Sequence, residues 1–217
     1  MIAERLVKLL FPPKCILCQN VLETQETDLC HACRADSPEC AGKYKSISFL
    51  DSWTAVWYYK ENIRKSILRY KFYGARYYAS AYGRLLAMRI RQEYPDGFDI
   101  LTWVPVSRFR RLTRGYDQVQ LLAEAVGGEL DMAPLATLKK IRHNRPQSGI
   151  RGQAKRRANV MGAYETVCPL QIQGKRILLL DDVITTGETV RECARMLRTS
   201  GAKEVYCGCI ATAHKHE

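Results

Sequence analysis

The stretch RILLLDDVITTGETVREC, residues 176–193, decides the fold of this 217-residue chain. Four apolar residues, 177–180, lead into Asp181 and Asp182, and a turn with one glycine follows before a helical pattern begins. An unbroken apolar run of this kind predicts a strand that is buried on both faces, as strands of parallel sheets are. The two carboxylates therefore fall at the carboxyl end of a buried strand, where open α/β sheets bind their ligands.

Strand and helix patterns alternate along the chain, which favours parallel strands joined by right-handed crossovers. Apolar and β-branched segments predict further strands at 52–59, 100–106, 135–141 and 204–212. Amphipathic segments predict helices at 61–72, 76–93, around 119–126 up to a pair of glycines, and 188–201. The apolar face of the helix at 61–72 is expected to comprise Ile63, Ile67, Leu68 and Phe72. The predicted fold class is α/β with a parallel sheet.

The residues after the two aspartates have the composition of a phosphate cradle. Backbone N–H groups at the start of a helix are unpaired, Gly187 lets the backbone approach a ligand, and three threonines within 185–189 add hydroxyl groups. Because carboxylates repel phosphate, Asp181 and Asp182 are expected to accept hydrogen bonds from neighbouring sugar hydroxyls instead. Helix capping alone explains only one of the hydroxyls, and a P-loop hydrolase requires an upstream G-x4-G-K-[ST], which the sequence lacks.

The cysteines divide into two groups. Cys15, Cys18, Cys30 and Cys33 form C-x2-C-x11-C-x2-C, a spacing that predicts a tetrahedral structural Zn2+ site, with an iron centre or redox-active thiols as the alternatives. His31 lies inside the second pair and is expected to be a bystander. Cys40 has no CxxC partner. The remaining thiols are expected to be small buried apolar groups: Cys168, Cys193, Cys207 and Cys209.

The net charge of +12 favours an anionic partner. Cationic side chains cluster at 108–114 and again at 139–157, where acidic residues are absent. The second cluster has more cations than one pyrophosphate requires, so single-stranded DNA is a candidate partner, and a solvated basic loop is the alternative. The N-terminus lacks a secretory pattern and no apolar run is long enough to span a membrane, so we expect no membrane insertion and a cytoplasmic location.

The segment ILLLDDVITTGET resembles the 5-phosphoribosyl-1-pyrophosphate (PRPP) binding motif of type I phosphoribosyltransferases. VPVSRFRRLTRGYDQVQLLA, NRPQSGIRGQAKRRANVMGAY and the N-terminal cysteine pairs resemble the ComF family, competence-associated zinc-ribbon phosphoribosyltransferase proteins. This resemblance implies an N-terminal helix and zinc ribbon over residues 1–42 and a phosphoribosyltransferase-like domain over 43–217. The chain departs from the family at Cys40, where many members carry a further CxxC.

The resemblance also implies a role for each matching residue. Asp181 and Asp182 would be the catalytic carboxylates that hold the ribose hydroxyls. The phosphate of PRPP would lie against Val183, Ile184, Thr185, Thr186, Gly187, Glu188 and Thr189. Pyrophosphate would meet Pro105, Val106, Ser107 and Arg108. A flexible loop over 143–158 would cover the site and bring anion-binding cations: Arg145, Arg151, Lys155, Arg156 and Arg157.

Two functional hypotheses follow. The first is a ComF-type protein that binds PRPP with Mg2+, transfers its pentosyl group to a nitrogen base as in nucleoside metabolism, and serves competence and DNA uptake. The second is a non-catalytic accessory that binds single-stranded DNA and competence-machinery proteins and retains the sugar-phosphate site. The sequence does not choose the acceptor base, the oligomeric state, or whether turnover occurs.

Overall fold

The computed structural model describes residues 11–40, 42–44, 46–142 and 160–213. The first half of this part contains α1 (His31–Asp36), β1 (Ser52–Tyr58), α2 (Glu61–Phe72), α3 (Tyr78–Glu93), β2 (Ile100–Trp103) and α4 (Arg108–Arg114). The second half contains α5 (Gln118–Leu130), β3 (Leu138–Lys140), β4 (Tyr164–Thr166), α6 (Pro169–Ile172), β5 (Arg176–Ile184), α7 (Glu188–Thr199) and β6 (Glu204–Thr212). Residues 1–10, where the N-terminal helix implied by the resemblance would lie, are outside the described residues.

A four-stranded sheet in the order β1-β6-β5-β2 forms the centre of the fold, and all three of its strand pairs are parallel. This confirms the predicted α/β class. β2 pairs with β5 only as far as Trp103 and Leu180, whereas β6 stays paired with β5 as far as Ile184 and Thr212. The last four residues of β5, 181–184, therefore extend past the end of β2, and this opens one edge of the sheet beside the two aspartates.

The two faces of β5 pack against different helices, because successive side chains of a strand point to opposite faces. Leu178 and Leu180 belong to the hydrophobic core formed with α2, α3 and α5. Ile177 and Leu179 belong to a second core that includes Cys193 of α7. The run of four apolar residues is thus buried on both sides, as the sequence pattern predicts.

The cysteine-rich segment packs into the first of these cores rather than standing apart. Ile16 and Leu17 are buried in the same cluster as Trp57 and Tyr78. The backbone carbonyls of this segment are also held by α2, since Arg69 donates to the carbonyl oxygens of Ile16 and Leu17 at 2.9 and 2.7 Å. Apolar burial and backbone hydrogen bonds together fix the segment against the α/β body.

Several predicted boundaries are wrong. The pair of glycines does not end α5, which continues to Leu130. Gly127 lies inside the helix at a position where a Cβ would collide with the carbonyl oxygen of Met132, so the glycine is required by packing. Strand β2 stops at Trp103 rather than at residue 106. The segment predicted as a strand at 135–141 forms only the three-residue β3, which pairs antiparallel with β4 outside the main sheet.

Two burial predictions are also wrong. Phe72 is 58% exposed, because the buried face of α2 is formed by Ile63, Ser66, Ile67 and Tyr70 instead. Cys168 is exposed, since it lies at the loop position that precedes the short helix α6. The predicted burial of Cys193, Cys207 and Cys209 is confirmed.

Candidate functional site

Four cysteine sulfurs converge in the N-terminal segment. The Sγ atoms of Cys15, Cys18, Cys30 and Cys33 all lie within 4.8 Å of one another. Cys18 Sγ and Cys30 Sγ are 3.6 Å apart, too far for a disulfide bond and close to the roughly 3.8 Å that separates sulfurs placed tetrahedrally around zinc at about 2.3 Å. The donor set therefore fits a closed structural Zn2+ site, and His31 is not part of it.

The backbone around Cys15 favours the thiolate form that zinc binds. Burial alone would raise the pKa of Cys15, but the backbone N–H groups of Cys18, Cys30 and Leu17 donate to its sulfur and lower the pKa to about 7. Burial and the neighbouring sulfurs raise the pKa of Cys33. Four thiolates this close together repel one another, and a bound cation such as Zn2+ would remove that repulsion.

The two aspartates at the carboxyl end of β5 are buried, at 8% and 5% exposure, and point to opposite faces of the sheet. Asp182 lies on the face covered by α2 and α5. Asp181 lies on the face covered by α7, where its charge raises the pKa of the Cys193 thiol after the larger effect of burial. The two carboxylates therefore do not face the same side of the sheet, and each is surrounded by different side chains.

Asp182 is held on both of its oxygens. Lys71 Nζ lies 2.8 Å from Oδ1, and Gln118 Nε2 donates to Oδ2 at 2.8 Å. Gln118 is held in turn by Arg114, which donates to its Oε1 at 2.8 Å. Burial would raise the pKa of Asp182, but Lys71 and Gln118 outweigh that effect and keep the pKa below its ordinary value. Asp182 is therefore a charged, fixed carboxylate.

Asp181 has the opposite electrostatic character. Burial and the neighbouring charge of Asp182 raise its pKa to about 8, although Lys71 and Lys140 oppose that shift. Among the described residues its one hydrogen bond comes from the backbone N–H of Asp182, which donates to Oδ1 at 2.8 Å. Its second oxygen has no hydrogen-bond partner among those residues.

The turn between β5 and α7 has an unsatisfied polar group. Gly187 precedes α7 with φ +73°, a conformation that glycine adopts readily. The hydroxyl oxygen of Thr186 is buried and has no hydrogen-bond partner among the described residues. Buried hydroxyls without partners are costly, so an orphan hydroxyl at a helix start indicates a place for a ligand oxygen.

The other residues of the turn differ in what they offer. Thr185 is exposed, and Thr189 lies in the first turn of α7. The carboxylate of Glu188 is taken up by Arg191, whose Nε donates to it at 2.9 Å, so Glu188 has only its backbone N–H to offer an anion. Val183 and Ile184 are the final residues of β5, and Ile184 is buried in the second core.

The predicted pyrophosphate loop, 105–108, directly follows β2 at the same edge of the sheet. Val106 N–H donates to Asp117 Oδ2 at 3.2 Å, and the other oxygen of Asp117 caps α5. Ser107 caps α4 through its hydroxyl, which accepts from the Arg110 N–H at 3.4 Å. The start of α5 therefore contacts both regions: Asp117 binds the loop through Val106, and the next residue, Gln118, binds Asp182.

The predicted covering loop, 143–158, lies outside the described residues, and so do its five cations: Arg145, Arg151, Lys155, Arg156 and Arg157. Two lysines at the start of the second basic cluster are described. Lys139 pairs with Glu165 at 2.9 Å. Burial lowers the pKa of Lys140 to about 8, and its Nζ donates to the Tyr164 hydroxyl at 3.0 Å. Neither lysine is therefore a free surface cation.

The first basic cluster forms an exposed helix. No residue of α4 is buried, and its sequence RFRRLTR contains four arginines and no acid. Phe109 is 60% exposed and Leu112 is 82% exposed. The guanidinium of Arg114 lies 4.7 Å from the ring centre of Phe72, which extends the surface onto the end of α2. The result is a cationic surface with exposed apolar and aromatic side chains beside the acidic pair.

Comparison with known proteins agrees with both parts of this architecture. The phosphoribosyl transferase domain family matches residues 121–217, and the double zinc ribbon domain family matches residues 6–44. Competence protein F of Haemophilus influenzae is 26% identical over 92% of this chain and 97% of its own length. Competence protein ComFC of Streptococcus pneumoniae is 29% identical over 87% of this chain and 77% of its own.

The chain belongs to the ComF family. A shorter match links this ComF-family chain to the DNA utilization protein YhgH of Salmonella typhi, which is 31% identical over 52% of this chain and 48% of that protein. The ComF-type zinc ribbon here has a single four-cysteine cluster in the described residues. Cys40 instead lies buried with its Sγ 3.1 Å from the hydroxyl of Tyr44.

Sequence reasoning singled out the two aspartates, the turn and the cysteines of this ComF chain but missed Lys71 and Gln118. A signal for Lys71 was available: it follows Ile63 and Ile67 at intervals of four, so a cation falls on the apolar face of α2. Gln118 directly follows the capping residue Asp117, a position that marks only a helix start. Among the described residues, no helix is long and apolar enough to cross a membrane.

Proposed function

We propose that this ComF-family chain binds PRPP at the carboxyl end of β5 and acts as a phosphoribosyltransferase-type protein in competence and DNA uptake. One observation supports this most directly: the buried, unpartnered hydroxyl of Thr186 lies at the start of α7, within four residues of Asp182. A phosphate oxygen at the helix start would satisfy that hydroxyl, while the second oxygen of Asp181 would accept a ribose hydroxyl.

The remaining site residues have matching proposed roles. The backbone of Val183–Thr189 would hold the 5′-phosphate, with Gly187 allowing the close approach. The loop 105–108 would meet the pyrophosphate beside the arginines of α4. Breaking the C1–pyrophosphate bond develops positive charge on the ribose, and the acidic pair would stabilise that charge while pyrophosphate leaves.

The magnesium expected with PRPP is assigned mainly to the substrate. Mg2+ keeps few protein ligands in such sites and coordinates phosphate oxygens instead. The described residues agree with this division, because both oxygens of Asp182 are already occupied by Lys71 and Gln118. When bound, Mg2+ neutralises pyrophosphate charge. The chain's own contribution is to fix the carboxylates and to bind the 5′-phosphate.

The substitution Thr186→Val tests the PRPP site most sharply. Valine keeps the shape of threonine and removes only the unpartnered hydroxyl, so the ligand-free protein should gain about 1 kcal/mol of stability. The rise in Tm on adding PRPP and Mg2+ should nevertheless shrink at least by half. Thermal unfolding with and without PRPP gives both numbers, and Thr113→Val, on the exposed helix α4, is the matched control.

The absence of any PRPP-dependent Tm rise in the unaltered protein would count against the proposed function. So would a full rise in Thr186→Val, because the hydroxyl would then have no part in binding. Asp181→Asn gives a second comparison: it should reduce the rise, whereas Asp36→Asn, an exposed acid in α1, should leave it unchanged.

A second candidate function is favoured by the α4 surface. Exposed aromatic and cationic side chains together suit single-stranded DNA, since bases stack on rings and phosphates pair with arginines. The names Competence protein F and DNA utilization protein, carried by relatives, fit a role in DNA handling. In this alternative the chain is a non-catalytic accessory that retains the sugar-phosphate site.

Salt dependence separates the two functions. Binding of a fluorescent oligonucleotide should weaken steeply as salt rises, and Arg111→Ala should reduce the slope by roughly 0.7, because one arginine no longer pairs with a phosphate. Phe109→Ala should lower affinity with little change in slope, because stacking is not ionic. Lys203→Ala is the control, because Lys203 is exposed and directly precedes β6, at the end of the sheet opposite the carboxyl ends of the strands. A salt-independent complex would exclude this alternative.

A further inference from the structure

The acidic pair of this site is supported from outside the segment that matches the phosphoribosyl transferase domain. That match begins at residue 121, whereas Lys71 lies in the last turn of α2, fifty residues earlier. Its ammonium lies 2.8 Å from Asp182 Oδ1, and the two side chains are 20% and 7% exposed. A nearly buried ion pair of this kind is expensive to form, so the lysine requires an explanation.

The geometry of the pair suggests what the lysine does. Both oxygens of Asp182 are taken, one by Lys71 and the other by Gln118. The backbone N–H of Asp182, whose position is set by strand β5, donates to Asp181 Oδ1, and the second oxygen of Asp181 has no partner among the described residues. The cation thus anchors one carboxylate by contact and, through its charge, opposes the rise in the pKa of the other.

We propose that Lys71 is a positioning residue of the sugar-phosphate site, which holds Asp182 as an anchored carboxylate so that Asp181 alone receives a ribose hydroxyl. The proposal rests on the proposed PRPP function. It divides the acidic pair into an anchor and a ligand-binding carboxylate, in place of two equivalent acids. Lys71 itself touches no ligand in this scheme.

Charge balance supports this division of labour. Two adjacent buried carboxylates repel each other; the ammonium beside Asp182 keeps that acid ionised, whereas the pKa of Asp181 is raised to about 8. Asp182 faces Lys71 of α2, Arg114 of α4 and Gln118 of α5. Asp181 faces Lys140 of β3, Cys193 of α7 and Cys209 of β6. Loss of Lys71 would therefore leave Asp182 with one distant cation and Asp181 with another.

The test compares PRPP binding by Lys71→Met, Lys71→Arg and the unaltered protein, with Mg2+, from pH 7 to 9.5. Lys71→Met should weaken binding at least tenfold at pH 7.5, and Lys71→Arg should stay within about threefold. Binding should tighten as Asp181 ionises, and in Lys71→Met the midpoint of that change should move to higher pH. Lys65→Met, an exposed lysine of the same helix, is the control and should change neither value.

A structural role alone would lower Tm without moving the pH midpoint, and that result would overturn the proposal. If Lys71→Met unfolds, the double variant Lys71→Met with Asp182→Asn removes both charges, and its Tm should exceed that of Lys71→Met. Additive effects of the two changes would contradict the pairing. If the unaltered protein does not bind PRPP, the proposed function fails first, while the double-variant comparison still tests the Lys71–Asp182 pair.

Discussion

Gly187 lies directly against Ile47. A Cβ at Gly187 would come within 2.8 Å of Ile47 Cδ1, and the residue has φ +73°. Two separate penalties therefore oppose a side chain here, one from the backbone conformation and one from the isoleucine. The contact places the segment around Ile47 against the turn between β5 and α7 that we assign to phosphate. A larger side chain at either Gly187 or Ile47 would therefore disturb this turn.

We expect Gly187→Ala to destabilise the protein by about 2 kcal/mol, because the strained backbone costs about 1 kcal/mol and the clash adds a similar amount. Gly174→Ala separates the two effects, since Gly174 has φ +72° and a methyl group added there would meet open space. That control should lose only the conformational part. Adding Ile47→Val to Gly187→Ala should recover some stability; denaturant unfolding measures all four proteins.

The raised pKa of Asp181 makes stability depend on pH. Because the folded protein binds a proton up to about pH 8 that the unfolded chain releases near pH 4, raising the pH across this window favours unfolding. The free energy of unfolding should fall by at most ~1.4 kcal/mol per pH unit from this group. Asp181→Asn should remove this part of the slope in denaturant titrations, and Asp36→Asn should not. Equal slopes in all three proteins would contradict the assignment.

Zinc should be integral to the folded chain. Cys18→Ser removes one of the four converging sulfurs, and we expect metal analysis to fall from about one zinc per chain to near zero, with a lower Tm. Cys168→Ser is the matched control, because this thiol is exposed and outside the cluster. Retention of metal by Cys18→Ser, or its absence from the unaltered protein, would show that the cluster is not a zinc site.

Glu192 should be more important for stability than its surface counterpart Glu165. Glu192 is 1% exposed, accepts from the Gly162 N–H at 2.8 Å and pairs with Arg195. Glu192→Ala leaves the partly buried Gly162 N–H without its acceptor and Arg195 without its partner, and should cost about 2 kcal/mol. Glu165→Ala breaks only the exposed pair with Lys139 and should cost less than about 1 kcal/mol. Comparable losses in the two variants would show that burial does not govern these pairs.

The central sheet was predictable because the apolar composition of its strands is visible in the local sequence. Residues 177–180 and 207–211 contain no charged side chain and are mostly apolar, and their burial on both faces follows from that composition. Boundaries were less predictable where a tertiary contact overrides local propensity. Helix α5 continues through Gly127 because the helix packs tightly at that position, and a glycine that stops an isolated helix here permits close approach.

The sequence predicted the residues of the candidate site but not the hydrogen bonds and ion pairs that hold them. The motif singled out Asp181 and Asp182, and the alternation of a strand already implies that their side chains diverge. The partners of Asp182 come from α2 and α5, more than sixty residues away in sequence, so no local pattern pairs them. The unequal charge of the two acids depends on those partners and required the three-dimensional structure.

One helix connects the two halves of the molecule. On α2, Arg69 holds the carbonyls of the cysteine-rich segment, and two residues later Lys71 holds Asp182. The ribbon and the acidic pair therefore both depend on the position of α2. In a chimaera between ComF relatives, the natural unit of exchange is the ribbon together with α2, because a junction placed between them would separate Arg69 from the carbonyl oxygens that it holds.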